Sequence, residues 1–271
     1  MATRSIVFLS DFGLRNEWVG ICHVVFNRIA PDSSIVDLSH GIPPLDVRIG
    51  ALVLSDSLPY IAQDAVVLAV VDPSVGRERD IAVETGDGRL LVSPDNGILA
   101  PAWLASGGVA RAVSITSPDV LLGPLAPTFH ARDVLAPAAA HLATGMPLDQ
   151  LGDAVDPESL EVIRIPEPGV ELWKIECEVL DLNRFGNVQL NVREAHVAAA
   201  GLEGAAQILV ESQTGTAVAR CVQTYGDLEA GEWGLLVDSR GWLTLVRGNP
   251  ANAAEGMGIS TGDLVWLFKS A

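Results

Sequence analysis

The segment that most restricts the fold is the apolar run AVVLAVV, which occupies positions 65–71 and ends at Asp72. A strand that is apolar on both faces is typical of a parallel sheet that helices cover on both sides. Short apolar strands alternate with helix-like stretches along residues 5–165, which is the pattern of an α/β fold. We therefore predict an N-terminal α/β domain of the sandwich type, with a central and mostly parallel sheet.

Local patterns predict the individual elements of this domain. The spacing of apolar residues indicates strands at 5–10 and 33–40, and helices at 16–31, 46–61 and 130–145. A glycine-rich turn at 86–88 separates two alternating segments, so residues 80–97 are predicted to form a hairpin.

The character of the sequence changes after a segment with two prolines and a glycine, at about residues 160–172, which we interpret as a linker. Residues 172–271 carry many short strands, with turn residues about every ten positions. This pattern is typical of a small β-barrel or sandwich. We predict an α/β catalytic domain over 1–165 and a smaller C-terminal β-barrel domain over 166–271.

Charge and cysteine content restrict the partners and the location. The chain has 17 Lys and Arg against 34 Asp and Glu, a formal net charge of −17, so we expect neither nucleic acid nor an anionic membrane as a partner. No apolar run approaches the ~20 residues of a membrane span, and the first run does not resemble a signal peptide. Three cysteines without a CxxC pair predict buried, reduced thiols and a cytoplasmic location.

Polar residues stand where the predicted strands end: Asp11, Asp72, and the neighbours Asp95 and Asn96. His130 directly precedes a predicted helix. Because the carboxyl ends of strands line the ligand crevice of an open α/β sheet, we expect Asp11, Asp72 and His130 to converge there.

Each of these acidic residues also has a purely structural interpretation. Asp11 and Asp95 fit turns that aspartate stabilises through its side chain. Asp72, at the end of a buried strand, needs a partner, which Arg79 would supply. Asp133 most simply serves the N-terminus of its helix. The residues alone do not separate these roles from catalytic ones.

Known metal and phosphate motifs are absent. The spacings HxH, HExxH and DxD do not occur, and His130 with Asp133 is a close histidine–aspartate pair. We expect no metal, and a metal-dependent hydrolase stays an open alternative. The glycine loops GxGxxG and GxxxxGK[ST] are also missing, so phosphate-loop nucleotide binding is not supported.

The predicted barrel carries the segments RFGN, residues 184–187, and RGN, residues 247–249. An asparagine amide both donates and accepts hydrogen bonds, which suits the edge of a purine. Phe185 offers a ring face for stacking. The alternative is a hairpin turn with an asparagine in the left-handed conformation.

Seven segments, in this order, resemble the S-adenosyl-L-methionine hydroxide adenosyltransferase family, which is related to fluorinases and chlorinases: SDFG, VVDPSVGRER, SPDNGIL, PTFHARD, RFGNVQLNV, DSRGWL and NAAEGMGISTGD. The resemblance implies an N-terminal α/β domain, a C-terminal β-barrel and a homotrimer with active sites at the subunit interfaces. It also implies hydrolysis of S-adenosyl-L-methionine to adenosine and L-methionine by attack of water at the ribose C5′. No cofactor and no metal are implied.

The resemblance implies a role for each residue that matches a family motif. Catalysis falls to Asp72, Arg79 and His130. The implied substrate-binding residues are Asp11, Asn96, Phe129, Asp181, Asn183, Phe185, Asn187, Ser239, Arg240, Arg247 and Asn249. Of these, Asp11 would bind the ribose, Phe185, Asn187, Arg247 and Asn249 the adenine, and Ser239 with Arg240 the methionine carboxylate.

The chain departs from the family at Asn183, where an aspartate is common, and whether Asn183 or Asp181 takes that role stays open. Halogenating relatives carry tyrosine at the position of Asp72 and lack the histidine at 130. We therefore expect water to be the nucleophile. The alternatives are a halide-using adenosyltransferase that makes 5′-halo-adenosine, and a non-catalytic sensor of adenosine or S-adenosyl-L-methionine.

Overall fold

The computed structural model describes residues 3–270 of the chain. The chain divides into two compact units, Met1–Arg164 and Ile165–Ala271, which are described in turn. Within the described range, no helix has both the length and the apolar character needed to cross a membrane.

The first unit is built on one seven-stranded sheet. Its strands are β1 (Ile6–Ser10), β2 (Ile35–Ser39), β3 (Val66–Val70), β4 (Asp80–Thr85), β5 (Leu90–Pro94), β6 (Val109–Ile115) and β7 (Gly152–Val155). They lie in the order β2-β1-β3-β5-β4-β6-β7. The strands β2, β1, β3 and β5 pair in parallel, whereas β4 is antiparallel to β5 and β6, and β7 is antiparallel to β6. Only β4 and β7 therefore run against the others, which confirms the mostly parallel sheet, and β4 with β5 forms the predicted hairpin.

Helices cover both faces of this sheet: α1 (Trp18–Ile29), α2 (Val47–Ser57), α3 (Ala100–Ala105) and α4 (Ala136–Ala143). All of β3 is buried, as its apolar run predicts. Val70 belongs to the core that α1 and α4 cover, whereas its neighbour Val71 lies against Gly50 of α2. Because successive residues of an extended chain point to opposite faces, α1 with α4 forms one outer layer and α2 with α3 the other.

The predicted helix at 130–145 is shorter than expected. A single π-helical turn over 131–135 comes first, in which the Ala136 N–H donates to the Ala131 carbonyl oxygen. Pro137 lacks an N–H and is tolerated in the first turn of a helix, so the regular helix α4 begins there. Asp133 lies in the first turn of this helical segment as predicted, and its Oδ2 also accepts from the Ala126 N–H at 2.8 Å.

The second unit is a closed barrel. Its strands are β8 (Gly169–Glu171), β9 (Lys174–Leu182), β10 (Val188–Leu190), β11 (Gln207–Ser212), β12 (Thr216–Cys221), β13 (Trp233–Val237), β14 (Leu243–Arg247) and β15 (Leu264–Lys269), with helices α5 (Glu194–Ala199) and α6 (Ala253–Met257). The order is β10-β14-β13-β12-β11-β15-β9-β8, and β10 also pairs with β9. This last pairing closes seven strands into a ring and leaves β8 outside it, which confirms the predicted barrel.

Two smaller expectations are wrong. Residues 169–171 of the expected linker form β8, which pairs with β9. Cys22 and Cys177 are buried as predicted, but Cys221 is exposed, because it lies at the end of β12 beyond that strand's buried residues.

Candidate active site

A cavity of about 650 Å³ opens in the first unit, next to the carboxyl ends of β1 and β3. We call it the first cavity. Its lining residues are Asp11, Phe12, Trp18, Pro44, Leu45, Val70, Asp72, Val75, Thr128, Phe129, His130, Ala131 and Leu135. The structure therefore brings together four of the residues singled out in the sequence: Asp11, Asp72, Phe129 and His130.

Asp72 directly follows the last buried residue of the β3 segment, Val71. Its Oδ1 accepts a hydrogen bond from the Ser74 N–H at 2.8 Å. Burial raises the pKa of the Asp72 carboxyl above its ordinary value, and the Ser74 N–H and the charge of His130 offset this only in part. The fold thus presents a half-buried carboxyl group to the first cavity.

The orientation of the His130 ring is fixed by Asp80, a residue that the sequence did not point to. The His130 Nδ1 lies 2.7 Å from Oδ2 of Asp80, the first residue of β4, and this aspartate is buried. Burial raises the pKa of Asp80 to about 6, although the hydrogen bond from His130 opposes this effect. Above that pH the carboxylate only accepts, so Nδ1 is the donor and Nε2 of a neutral ring is left as an acceptor.

Gly76 explains why a glycine stands in the DPSVG segment. Its φ is +79°, a conformation that residues with a side chain rarely adopt. A Cβ atom here would lie 3.0 Å from the Pro127 carbonyl oxygen and 3.7 Å from His130 Nε2. The turn after Asp72 therefore lies directly against the ring of His130, and a side chain at 76 would disturb both.

Asp11 has a fixed orientation at the wall of the cavity. Its Oδ2 accepts from the Leu45 N–H at 2.8 Å. Leu45 has a φ of 66°, so this hydrogen bond holds a backbone conformation that is unfavourable for leucine. Strained backbone of this kind is common beside ligand sites.

Three aromatic rings form another part of the wall. Phe12 packs edge-on against Trp18 and Phe129, with ring centres 6.0 Å and 6.2 Å apart. The Arg132 guanidinium lies 5.1 Å from the centre of the Phe129 ring. Phe12 and Trp18 were not anticipated, since aromatic residues at these positions are equally typical of a core.

Arg79 does not pair with Asp72, contrary to our expectation. Its Nε lies 2.6 Å from Oδ2 of the buried Asp95, and its Nη2 donates to the Ser159 carbonyl oxygen at 2.6 Å. Arg79 lines a separate cleft of about 340 Å³ together with Glu78, Asp95, Asn96 and Glu161. The buried carboxylate of Asp95 is the closer partner, and it draws the guanidinium into that cleft.

Asn96 also lines this cleft, and its side-chain amide forms hydrogen bonds with backbone groups. The side-chain Nδ2 donates to the Val71 carbonyl oxygen at 2.8 Å, and Oδ1 accepts from the Ile98 N–H at 3.2 Å. Through Val71, Asn96 fixes the chain immediately before Asp72.

The second unit has its own cavity, of about 780 Å³, which we call the second cavity. It is lined by Asn183, Arg184, Phe185, Asn187, Tyr225, Leu228, Arg247, Asn249, Pro250, Ala251, Asn252 and Glu255. All four residues expected to bind adenine are in this set. The Phe185 side chain is 65% exposed, so its ring face is available for stacking.

The turn that carries Phe185 is organised by Asn183. Its Oδ1 accepts from the N–H groups of Phe185 and Asn187, at 3.0 Å and 3.1 Å. Asn187 in turn bonds the hydroxyl of Tyr225, whose pKa is raised above its ordinary value mainly by burial. Tyr225 was missed because it comes from a short 3₁₀ helix, Tyr225–Asp227, that is distant in sequence and carries no motif.

Three further predicted substrate-binding residues line neither the first nor the second cavity: Asp181, Ser239 and Arg240. The Arg240 Nη2 is 3.5 Å from Asp181 Oδ2, so these two predicted residues contact each other. Ser239 is exposed and belongs, like Arg240, to the turn between β13 and β14. Asp238 anchors this turn, since its Oδ1 accepts from the Arg240 and Trp242 N–H groups.

The chain is similar to known proteins along nearly its whole length. Residues 6–152 match the SAM hydroxide adenosyltransferase N-terminal domain, and residues 177–266 match the SAM hydroxide adenosyltransferase C-terminal domain. The (R)-S-adenosyl-L-methionine hydrolase of Salinispora tropica is 44% identical over 96% of both chains. The fluorinase of an Actinoplanes species is 26% identical over 98% of this chain and 97% of the enzyme.

A solved structure has the same architecture. The crystal structure of an uncharacterized conserved protein from Thermotoga maritima superposes with a TM-score of 0.90 and 31% sequence identity. The match covers 97% of this chain and 99% of that one, so it includes both units.

Proposed function

This chain belongs to the SAM hydroxide adenosyltransferase family, and we propose that it hydrolyses S-adenosyl-L-methionine to adenosine and L-methionine. The observation that carries this proposal is the first cavity, which presents Asp72 together with a His130 whose far nitrogen is bound to Asp80. The name of the Salinispora relative specifies the (R) form of the substrate, and we propose the same sulfur configuration here.

In this reaction the leaving group departs readily, and the difficult requirement is a sufficiently reactive nucleophile. When the C5′–S bond breaks, sulfur takes the electron pair and leaves as a neutral thioether, so it needs neither a proton nor a metal ion. Water, by contrast, has a pKa of ~15.7, and hydroxide is scarce at neutral pH. The protein must therefore hold a water molecule in line with the C5′–S bond and accept its proton.

Asp72 and His130 fit these two tasks. In the proposed step the water oxygen bonds to C5′ while its proton passes to His130 Nε2, the nitrogen that the Asp80 bond leaves as an acceptor. The Asp72 carboxylate orients the same water. Positioning of this kind contributes up to ~7–11 kcal/mol to a reaction barrier. A general base contributes about 10²–10⁴-fold in rate.

Substrate binding is divided between the two cavities in this proposal. Asp11 of the first cavity binds the ribose, and Phe129 is a further substrate-binding residue of that cavity. Phe185 stacks on adenine in the second cavity, while Asn187, Asn249 and Arg247 contact its edge. Ser239 and Arg240 bind the methionine carboxylate. The family likeness supports these roles, and the grouping of the adenine set in one cavity is consistent with them.

The role of Arg79 stays a prediction from the family. Its bond to Asp95 supports a second role, which is to fasten the loop that follows Asp72. No cofactor takes part in the reaction that we propose.

The decisive experiment incubates purified protein with each sulfur epimer of S-adenosyl-L-methionine, with and without chloride, fluoride or a chelator, and separates the products by chromatography. We expect equal amounts of adenosine and methionine from the (R) epimer, at a rate that the chelator does not change. In ¹⁸O-labelled water the label should appear in the adenosine 5′-hydroxyl.

Other products would support the alternatives. A 5′-halo-adenosine would mean that halide is the nucleophile. Unchanged substrate with saturable binding would mean a sensor rather than an enzyme.

We also propose a homotrimer in which each active site combines the first cavity of one subunit with the second cavity of another. Light scattering should give the mass of three chains. An Asp72→Asn chain and a Phe185→Ala, Asn187→Ala chain, refolded together, should regain activity, because mixed trimers contain some intact sites. A mixture no more active than the two separate preparations would contradict this arrangement.

A further inference from the structure

A cluster of two histidines and an aspartate lies outside the residues used by the proposed reaction. His23 is on α1, Asp37 is on β2 and His40 follows the end of β2. His23 Nε2 lies 2.8 Å from Asp37 Oδ1, and His40 Nε2 lies 3.0 Å from the same oxygen. One ligand atom from each residue lies within 4.8 Å of the others. None of the three lines the first cavity.

The buried member of this cluster has a nitrogen without a hydrogen bond. His40 is 6% exposed, and its Nδ1 lies 2.7 Å from the hydroxyl of the fully buried Ser10. Its Nε2, although close to Asp37, is off the direction of a hydrogen bond, and no other described group satisfies it. A buried nitrogen whose contact with a carboxylate oxygen is poorly aligned is unfavourable, so its orientation toward two other ligand-type atoms needs a reason.

We propose that His23, Asp37 and His40 bind one divalent transition-metal ion of the zinc type. Imidazole nitrogen and carboxylate oxygen are ligands that Zn²⁺ prefers. Ligand atoms about 2.1 Å from a tetrahedral metal ion lie roughly 3.4 Å apart, so the contacts of 2.8 Å and 3.0 Å seen here would lengthen by about half an ångström on binding. His23 and Asp37 are partly exposed, with side chains 30% and 41% accessible, so solvent can complete the coordination.

The surroundings of His40 are those of a metal ligand. A metal-bound histidine commonly uses its other nitrogen in a hydrogen bond that fixes the ring, and Ser10 supplies this bond. The Phe8 ring packs against the imidazole with centres 4.7 Å apart. These contacts hold Nε2 in a single direction, toward the cluster.

The ion would fasten the wall of the first cavity. It joins α1 to β2, and the His40 carbonyl oxygen accepts from the Gly13 N–H at 2.8 Å. The Phe12 N–H donates to Ser10 Oγ at 3.3 Å. The segment that carries Asp11 is thereby tied to the metal ligands, so the ion stabilises the fold and takes no part in the hydrolysis.

The test is zinc binding to the full chain after dialysis against a chelator. Calorimetric titration with Zn²⁺ should show one equivalent bound per chain, and Tm should rise with added Zn²⁺. Both effects should disappear in His23→Gln and Asp37→Asn, whose partly exposed side chains allow the variants to fold. His141→Gln, which changes a histidine outside the cluster, is the matched control and should bind like the wild type.

Two further measurements identify the ligands. Ser10→Ala should bind Zn²⁺ about 10–100-fold more weakly, because it releases the far nitrogen of His40. X-ray absorption should show nitrogen and oxygen neighbours without sulfur. Absence of saturable binding, equal binding by His23→Gln and the wild type, or sulfur in the coordination shell would each overturn the proposal. None of these outcomes depends on the hydrolytic activity.

Discussion

The two cavities differ in the kind of side chain they present and in how firmly it is held. The first places two carboxyl groups at the ends of buried strands and an imidazole at the start of a helical turn, with a buried aspartate behind the imidazole. The second places amides, two arginines and an exposed phenyl ring mainly on turns, with Arg247 at the end of β14. Proton transfer needs groups whose pKa values are shifted by burial, whereas recognition of a flat base needs donors, acceptors and a ring face. We therefore expect changes in the first cavity to act on kcat and changes in the second to act on KM.

The largest expected effect is that of Asp72→Asn. The amide keeps the size of the side chain but removes the charge that orients the water, so kcat should fall by about 10²–10⁴-fold. KM and Tm should change little. Steady-state kinetics with chromatographic detection of adenosine measures kcat and KM. Full activity in the variant would show that Asp72 is not catalytic.

Asp80→Asn should have an effect on kcat that approaches that of Asp72→Asn, up to about 10⁴-fold, since an asparagine amide can donate to His130 Nδ1 and leave the proton on Nε2. The wild type should lose activity as the pH falls through about 6, where Asp80 is protonated and no longer fixes the ring. The variant has no such carboxyl, so its kcat should lose that part of the pH dependence. An unchanged pH profile would show that Asp80 is merely structural.

The raised pKa of Asp80 also predicts how the stability of the protein depends on pH. This pKa is raised on folding from an ordinary 3.8 to about 6, so the folded state binds the proton more tightly and the free energy of unfolding falls as the pH rises between these values. Relative to Asp80→Asn, the wild type should lose about 2 kcal/mol between pH 4.5 and 7.5. Urea unfolding at the two pH values measures this difference.

Phe185→Ala tests the second cavity. Loss of stacking on adenine is worth about 1–3 kcal/mol, so KM should rise about tenfold or more while kcat changes less. Phe185→Tyr keeps a ring and is the matched control. Because the side chain is 65% exposed, unfolding free energy should change by less than about 0.5 kcal/mol. A fall confined to kcat would contradict the division of roles between the cavities.

Arg79→Gln should have the smallest kinetic effect if its bond to Asp95 is its main role. The variant leaves the buried Asp95 carboxylate short of a partner and should lower the free energy of unfolding by about 1–3 kcal/mol. Urea unfolding and kinetics are measured on the same preparation. A loss of kcat beyond 10²-fold with normal stability would instead support the catalytic role that the family resemblance implies.

Much of the fold was predictable because its signals are local. The run AVVLAVV predicts a strand buried on both faces, and the turn-punctuated strands after residue 172 predict the barrel. The strand ends likewise pointed to Asp11 and Asp72, which the structure places in one cavity. Each of these predictions rests on a pattern only a few residues long: the periodicity of apolar residues, or a polar residue that ends an apolar run.

Only the tertiary structure decided which side chains meet. Asp80 and His130 are 50 positions apart, and no motif joins them. The partner of Arg79 proved to be Asp95 rather than Asp72. Sequence by itself determined the secondary structure and the edge of the sheet where polar groups gather, because backbone preference and burial act locally. Pairing between distant side chains depends on strand order, register and helix packing, and these are settled only when the whole core closes.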